Sequence, residues 1–162
     1  MIIQQALFLL PGLLVGITVH EAAHAASAKW LGDETAEKMG RLTLNPLKHL
    51  SLLGTVALFP VGFGWGKPVM INAQNFRKPK LHYLLSSLAG PASNLLLCAL
   101  ALGILYLHPP GIIELICLSI FYINAILAVI NLLPIPPLDG SKIWPCIIPG
   151  FDIAVSEKWS GI

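Results

Sequence analysis

Charge is scarce in this chain. Only 11% of its 162 residues are Asp, Glu, Lys or Arg, against about 25% in soluble domains. A water-facing surface cannot be built all round it from that inventory, and 56% of the residues are hydrophobic. The net charge of +2 is too small and too dispersed to call for nucleic acid, so no such partner is expected. Cysteine is equally sparse: Cys98, Cys117 and Cys146 lie in or beside apolar runs without CxxC spacing. Packed, inert thiols are expected there, not a disulfide framework or a cysteine metal site. The first apolar run lacks a basic start and a convincing cleavage site, which argues against a removable signal peptide. With neither an internal repeat nor a linker, residues 1–162 read as a single domain.

What the chain does have is long apolar runs. A helix crossing the hydrocarbon needs about 20 residues, and three stretches qualify: about 3–30, 81–107 and 112–133. The second ends at His108-Pro109-Pro110-Gly111, and the third at Pro134, Pro136 and Pro137, which cannot continue a helix. Eight of the ten basic residues (Lys29, Lys38, Arg41, Lys48, Lys67, Arg77, Lys78, Lys80) fall between the core of the first run and the start of the second. The short turn near Gly111 and the N-terminus have none. By the positive-inside rule the long loop and the tail face the cytoplasm, and the N-terminus and short turn face outward.

Within the long loop, residues 50–71 are too apolar for an ordinary solvated connection, while Gly54, Pro60, Gly62, Gly64, Gly66 and Pro68 exclude a spanning helix. The alternation in 55–59 and 67–71 predicts two short strands, and with them a re-entrant β-hairpin dipping beside the first span. An interfacial loop anchored by Trp65 is the plainer alternative. The tail, 141–162, is broken by Pro145, Pro149 and Gly150 and reads as interfacial. The fold class is therefore an all-α membrane protein: a three-span helical core with a re-entrant, hairpin-like loop between spans one and two.

The chemistry sits inside the first span. Met1 to Val19 carry no charge, and His20-Glu21-Ala22-Ala23-His24 follows directly. On a helix His20 and His24 project from one face a turn apart, so both imidazoles can ligate one zinc ion, with Glu21 beside the open position. Ionisable groups in a span need a partner or a task, and a metal supplies both. A third ligand is required. Asp139, in Pro136-Pro137-Leu138-Asp139-Gly140, follows where the third span breaks on the same side. His20 lies about 15 Å from the cytoplasmic end of its helix, so the Pro-rich segment must dip inward to reach it. Taken alone, Pro-Leu-Asp-Gly is a turn with Asp139 as a cap. Beside two intramembrane histidines the ligand role is preferred, because Zn²⁺, two neutral imidazoles, Asp139 and Glu21 sum to zero charge. His49, His82 and His108 are weaker candidates, by position. Such a site hydrolyses peptide bonds: zinc activates a water and polarises a carbonyl while Glu21 moves the proton. Asn94 and Asn131 are the polar residues placed to bind a substrate carbonyl or the developing oxyanion, or else to join helices.

His20-Glu21-Ala22-Ala23-His24, Gly90-Pro91-Ala92-Ser93-Asn94 and the run from Asn131 to Gly140 resemble the three signature segments of the site-2 proteases, zinc intramembrane metalloproteases. Gly40 to His49 and Gly64-Trp65-Gly66-Lys67-Pro68-Val69 are similar to the compact prokaryotic branch, which lacks PDZ and CBS modules. The resemblance implies a three-span core with one zinc on His20, His24 and Asp139. It implies Glu21 as base and Asn94 and Asn131 near the scissile bond. It implies transmembrane protein substrates and a multi-pass protein of a prokaryotic cell membrane, with its active site toward the cytoplasm. Ser51-Leu52 stands where the family shows Asp-Pro, and the chain ends at Ile162, where relatives continue into another span. It is expected to be a truncated or minimal form. Two rivals belong to other classes: an intramembrane metal-ion transporter, which has no need of a base beside the first histidine, and a non-catalytic relative that binds spans without cutting them.

Overall fold

The computed structural model describes residues 2–51, 53–54, 56–57 and 66–148, with the backbone alone for residues 2–6. Helix α1 runs Ile2–Leu31, α2 Thr35–Lys38, α3 Pro46–His49, α4 Pro79–Leu105, α5 Ile112–Ile130 and α6 Gly140–Ile147. Three of these are long and apolar enough to cross a membrane: Leu7–Leu31 within α1, then α4 and α5. They pack against one another in all three pairings, and they answer to the three spans read from sequence. The third stops short of the expected residue 133, at Ile130. Pro134 forces Leu133 out of the α region, and the chain tightens into i→i+3 bonds from Leu132 to Val129 and from Leu133 to Ile130.

Burial is inverted relative to a soluble protein. The side chains most completely enclosed include Asn94, Asn124, Ser86, Ser87 and Ser119, while Leu95, Leu96, Leu100, Leu115 and Val129 face outward. That is the arrangement a bilayer selects, because lipid removes the advantage of burying leucine and leaves polar groups only one another as partners.

Close approach of α1 to α5 depends on Gly12 and Gly16, one turn apart on α1. A Cβ at Gly16 would lie 2.9 Å from Asn124 Oδ1, and one at Gly12 would lie 2.8 Å from Ser119 Oγ and closer still to the Ser119 carbonyl. Small residues at this spacing let two backbones approach within a membrane. Ser119 Oγ also accepts from Gly12 N at 3.0 Å, beside Pro11, where the helix ladder lacks a donor.

The long loop is anchored rather than loose. Asp33 is fully buried and accepts from Thr35 N at 3.1 Å, Thr35 Oγ1 at 2.5 Å, Asn72 N at 2.7 Å and Asn75 Nδ2 at 2.7 Å. Arg41 donates to the carbonyls of Lys48, Lys67 and Pro68. The expected hairpin is not what the described part of 50–71 adopts. Leu53, Gly54, Val56 and Ala57 are helical, and residues 67–71 form neither helix nor strand. Among the described residues the one β contact here is an antiparallel bridge between Leu50 and Gly66. Residues 58–65, with Trp65, lie outside the described residues, as does 149–162 of the expected interfacial tail, whose start forms α6. Of the strand read at 55–59 the two described residues, Val56 and Ala57, are helical; five residues of period 2 are too few to outweigh local helix formation.

Asp33 generates a test. Burial opposes its ionisation, but the bonds from Thr35, Asn75 and Asn72 outweigh burial and hold its carboxyl below the ordinary range. With the folded value below the unfolded ~3.9, its contribution is present above that pH and fades as pH falls through the folded value. Asp33→Asn turns an amide toward these donors and is expected to lower stability by about 1–3 kcal/mol near neutral pH. In thermal melts the gap between variant and wild type should narrow as pH falls below about 4. A gap that stays constant into acid would show that the carboxylate form is not what anchors the loop.

Candidate metal centre

His20 and His24 stand on α1, and Asp139 immediately precedes α6, 115 residues further along the chain than His24. The structure brings all three together, each buried. Their nearest atoms form an almost equilateral triangle: His20 Nε2 to Asp139 Oδ2 3.0 Å, His24 Nε2 to Asp139 Oδ2 3.0 Å, and His20 Nε2 to His24 Nε2 3.1 Å.

The route of the chain to Asp139 is a tight fold-back. Gly140 N donates to Asn131 O at 2.6 Å, closing the loop 131–140. A Cβ at residue 140 would strike the Leu132 and Leu133 carbonyls, so this closure requires glycine. Trp144 Nε1 donates to Leu132 O at 2.8 Å and Ser141 Oγ to Leu138 O at 2.7 Å. Three of the loop's residues are prolines, which have no N–H to leave unsatisfied near the membrane. Asp139 occupies the N-cap position of α6, yet its side chain makes no capping bond. The carboxylate is directed to the histidines instead.

Hydrogen bonding settles which nitrogens are free. His24 Nδ1 lies 2.7 Å from Ser86 O; a carbonyl only accepts, so Nδ1 carries the proton and the neutral ring offers Nε2 as a lone pair. Asn94 Nδ2 faces two acceptors, Asn124 Oδ1 at 2.7 Å and Gly16 O at 3.3 Å. Its Oδ1 therefore faces His20 Nδ1, at 2.6 Å, and accepts from it. His20 Nε2 is then also a lone pair. Two imidazole lone pairs and a carboxylate oxygen, all acceptors, converge within 3.1 Å. In a buried place this repels unless a cation stands between them. The set is the N₂O donor group of catalytic zinc, whose ligands sit about 2.0–2.2 Å from the ion.

Space for an ion is kept by Gly90 on α4. A Cβ there would lie 2.6 Å from His20 Cε1, 2.7 Å from His20 Nε2 and nearer still to His24 Nε2. Gly90 and Asn94 are one turn apart, so the same face of α4 clears the centre and holds His20. Each ligand has an outer partner of the kind that orients metal ligands: Asn94 for His20, the Ser86 carbonyl for His24, and Lys142 Nζ for Asp139 Oδ1 at 3.4 Å. Lys142 counted in the sequence reading only toward orientation, as a basic residue of the tail, and with zinc bound its charge would make the sum of the site +1 instead of zero.

Glu21 is not in the triangle. Its Oε2 accepts from Val69 N at 2.8 Å, and its carboxylate borders a cavity of ≈ 220 Å³ lined also by His20, Gly66, Pro68, Asn131, Pro137 and Leu138. The two asparagines part company here. Asn131 borders this cavity, with Nδ2 donating within its own helix to Leu127 O at 2.9 Å. Asn94 is fully enclosed, its oxygen engaged by His20 and its amide by Asn124 and Gly16. It holds His20 and is not open to a substrate carbonyl. His49 is wholly buried, with Nε2 donating to Thr43 O at 2.7 Å: a loop-packing histidine, outside the ligand set. Asn124 and Lys142 are the site's neighbours that sequence reasoning passed over. A lone Asn at the middle of an apolar span was the available signal for Asn124.

Gly90 supplies a prediction. Alanine is the better helix former by about 1 kcal/mol, so Gly90→Ala should leave α4 intact while its methyl occupies the centre. Metal analysis of the purified variant should show zinc affinity reduced at least ~10-fold, the scale seen when ligand support is lost. Full zinc content with normal affinity would mean that the ion does not sit against Gly90.

Comparison with known proteins gives the same reading. A model of peptidase family M50 matches residues 110–155. The chain is 43% identical over 152 residues to the "Putative zinc metalloprotease YwhC" of Bacillus subtilis, covering 88% of this chain and 69% of that protein. It is 36% identical over 146 residues to the "Putative zinc metalloprotease Rip2" of Mycolicibacterium smegmatis, covering 83% of this chain and 54% of that one. A Rip2 of Mycobacterium tuberculosis is 33% identical over 136 residues. The chain thus spans about two thirds of the Bacillus protein and about half of the mycobacterial ones. No solved structure matches it. Three spans able to cross a bilayer, a zinc-type donor set between them and these relatives converge: the chain belongs to peptidase family M50, the site-2 protease family of zinc metalloproteases.

Proposed function

We propose that this chain is an endopeptidase that hydrolyses peptide bonds of single-span membrane proteins near the cytoplasmic face. In this reading His20, His24 and Asp139 hold one zinc ion and Glu21 is the base. The observation that carries it is the convergence of three acceptors between spanning helices, beside a cavity where Glu21 waits outside the ligand set.

When bound, zinc supplies Lewis acidity, lowering the pKa of a water and polarising a carbonyl. The protein's own groups do the rest. Glu21 is fixed through Oε2 by the Val69 N–H, which leaves Oε1 to take a proton from the attacking water and pass it to the leaving nitrogen. Asn131, on the same cavity wall, keeps a second amide proton beyond its bond to Leu127 and is proposed to donate to the substrate carbonyl oxygen as charge develops. The ≈ 220 Å³ cavity is too small for an intact helix about 10–12 Å across, so a substrate span must unwind to present a bond there.

A transporter would need groups that bind an ion in transit but not a base one residue after the first histidine. Glu21→Gln separates the two. Zinc should remain, since no proposed ligand changes, and turnover of a single-span substrate should fall by ~10²–10⁴. Unimpaired cleavage with zinc retained would sink the mechanism. His20→Ala, His24→Ala and Asp139→Ala should each lower bound zinc and abolish cleavage; an Asp139→Ala enzyme with full zinc and full activity would remove Asp139 from the ligand set.

Orientation rests on the concentration of basic residues between spans one and two. A cysteine placed at Glu34 in a cysteine-free background should react with an impermeant thiol reagent only from the cytoplasmic side, and one at Pro110 only from outside. The reverse pattern would move the proposed cleavage to the other leaflet.

A further inference from the structure

Asn124 lies just past the middle of α5, fully enclosed, and among the described residues its hydrogen bonds go to Asn94 and Ile120, not to His20. Its Nδ2 donates to Ile120 O, 2.7 Å away in its own helix. A backbone carbonyl can only accept, so this bond fixes which end of the amide is which. Asn124 Oδ1 must then face the other way, where Asn94 Nδ2 meets it at 2.7 Å. That bond in turn aims Asn94 Oδ1 at His20 Nδ1, 2.6 Å off. Orientation passes from a carbonyl on α5, through two amides on two helices, to a ring on the third.

We propose that Asn124 is a positioning residue for zinc: the relay Ile120 O, Asn124, Asn94, His20 Nδ1 locks His20 in the tautomer whose Nε2 lone pair points at the metal. The inference rests on His20 being a ligand.

Two further features fit a built device. Gly16 on α1 has no side chain where one would collide with Asn124, at 2.9 Å from its Oδ1 and 3.2 Å from its Nδ2; the three helices are packed so that this amide fits. The only other acceptor for Asn94 Nδ2 among the described residues is Gly16 O, at a longer 3.3 Å. Without Asn124, one buried amide proton of Asn94 has no partner, and the reversed amide, with nitrogen toward His20, becomes competitive. That reversal would demand a lone pair on Nδ1 and put the proton on Nε2, the wrong form for binding a cation.

The experiment measures zinc affinity by chelator competition in detergent-purified full-length chain. Asn94→Ala should weaken zinc by about 10–100-fold and Asn124→Ala by about 10-fold. The double variant should be no weaker than Asn94→Ala alone, because the two act in series. Cys98→Ala removes a buried thiol that donates to Phe121 O across the same α4–α5 boundary. It should lower melting temperature and leave zinc affinity unchanged, as packing alone would. Asn124→Ala binding zinc like wild type, or additive losses in the double variant, would overturn the proposal. A measurement that needs no variant guards against misfolding: ¹⁵N NMR of the zinc-loaded wild type should find His20 bound through Nε2 with its proton on Nδ1, and a metal bond through Nδ1 would equally overturn it. Undiminished zinc in His20→Ala would instead fail the ligand assignment, a separate result.

Discussion

Three acceptor atoms within 3.1 Å of one another, buried between spanning helices, repel each other and lose most of their hydration together. A metal ion among them, or a proton on one imidazole Nε2, reverses the sign of that interaction, and in a low-dielectric surrounding the reversal is large. The architecture can be understood as the set of arrangements that keep this triangle from relaxing. Ser86, Asn94 and Lys142 each engage a ligand on the side away from the centre. The imidazoles cannot rotate out to find other partners, and the carboxylate has one oxygen engaged and one free. In water such restraint would be a minor refinement. Between helices in a bilayer it decides whether the donor set exists.

Glycine does the complementary work. Gly12 and Gly16 bring α1 against α5, Gly90 clears the centre, and Gly140 lets the chain after α5 double back until Asp139 reaches the histidines. At the last three, a single methyl would meet an amide, an imidazole or a carbonyl. Hydrophobic force contributes little to helix association in lipid, so close contact and internal hydrogen bonds must supply it. The same bonds that hold the bundle together, Asn94 to Asn124 and Gly12 to Ser119, also fix the helix carrying the proposed metal ligands. Stability and site geometry here share their atoms.

Much of this was legible in the sequence, and the illegible part has a common cause. Two histidines four residues apart on an uncharged helix can be seen because helical spacing is local, and Asp139 because few acidic residues were in reach of them. Proline and the apolar runs placed the spans to within about three residues at their ends, the usual uncertainty of boundaries. Gly90 looked like part of a motif, but its role is to be absent from a space, which only the facing imidazoles define. Asn94 was singled out, yet whether it faces substrate or a ligand depends on the rotation of α4 against α1. Asn124 is the same problem one step further out, since its meaning lies in Asn94. The strand read into 55–59 meets helix at its two described residues, Val56 and Ala57, for another reason: a short alternating apolar stretch fits a helix as well, and its neighbours decide.

Glu21 differs from the ligands beside it in kind of support. His20 and His24 are held by side-chain or carbonyl partners on α4 and buried almost completely, whereas Glu21 is half-buried and held by one backbone N–H of the segment after Gly66. A metal ligand has to stay in place through every cycle; a base has to change its proton count each time and exchange protons with water. A carboxylate sealed as tightly as Asp139 could not do so without a large penalty for one of its two states. The one bond from Val69 aims the group, and Glu21 itself lines the cavity. The segment that supplies this bond is itself secured on either side, by Arg41 at Lys67 and Pro68 and by Asp33 at Asn72. The loop that the sequence marks as too apolar for solvent thereby serves as the mount of the proposed base. Its anchors are one cation and one anion on the basic side of the bundle, and the buried anion, Asp33, has its charge satisfied by donors from Thr35, Asn72 and Asn75.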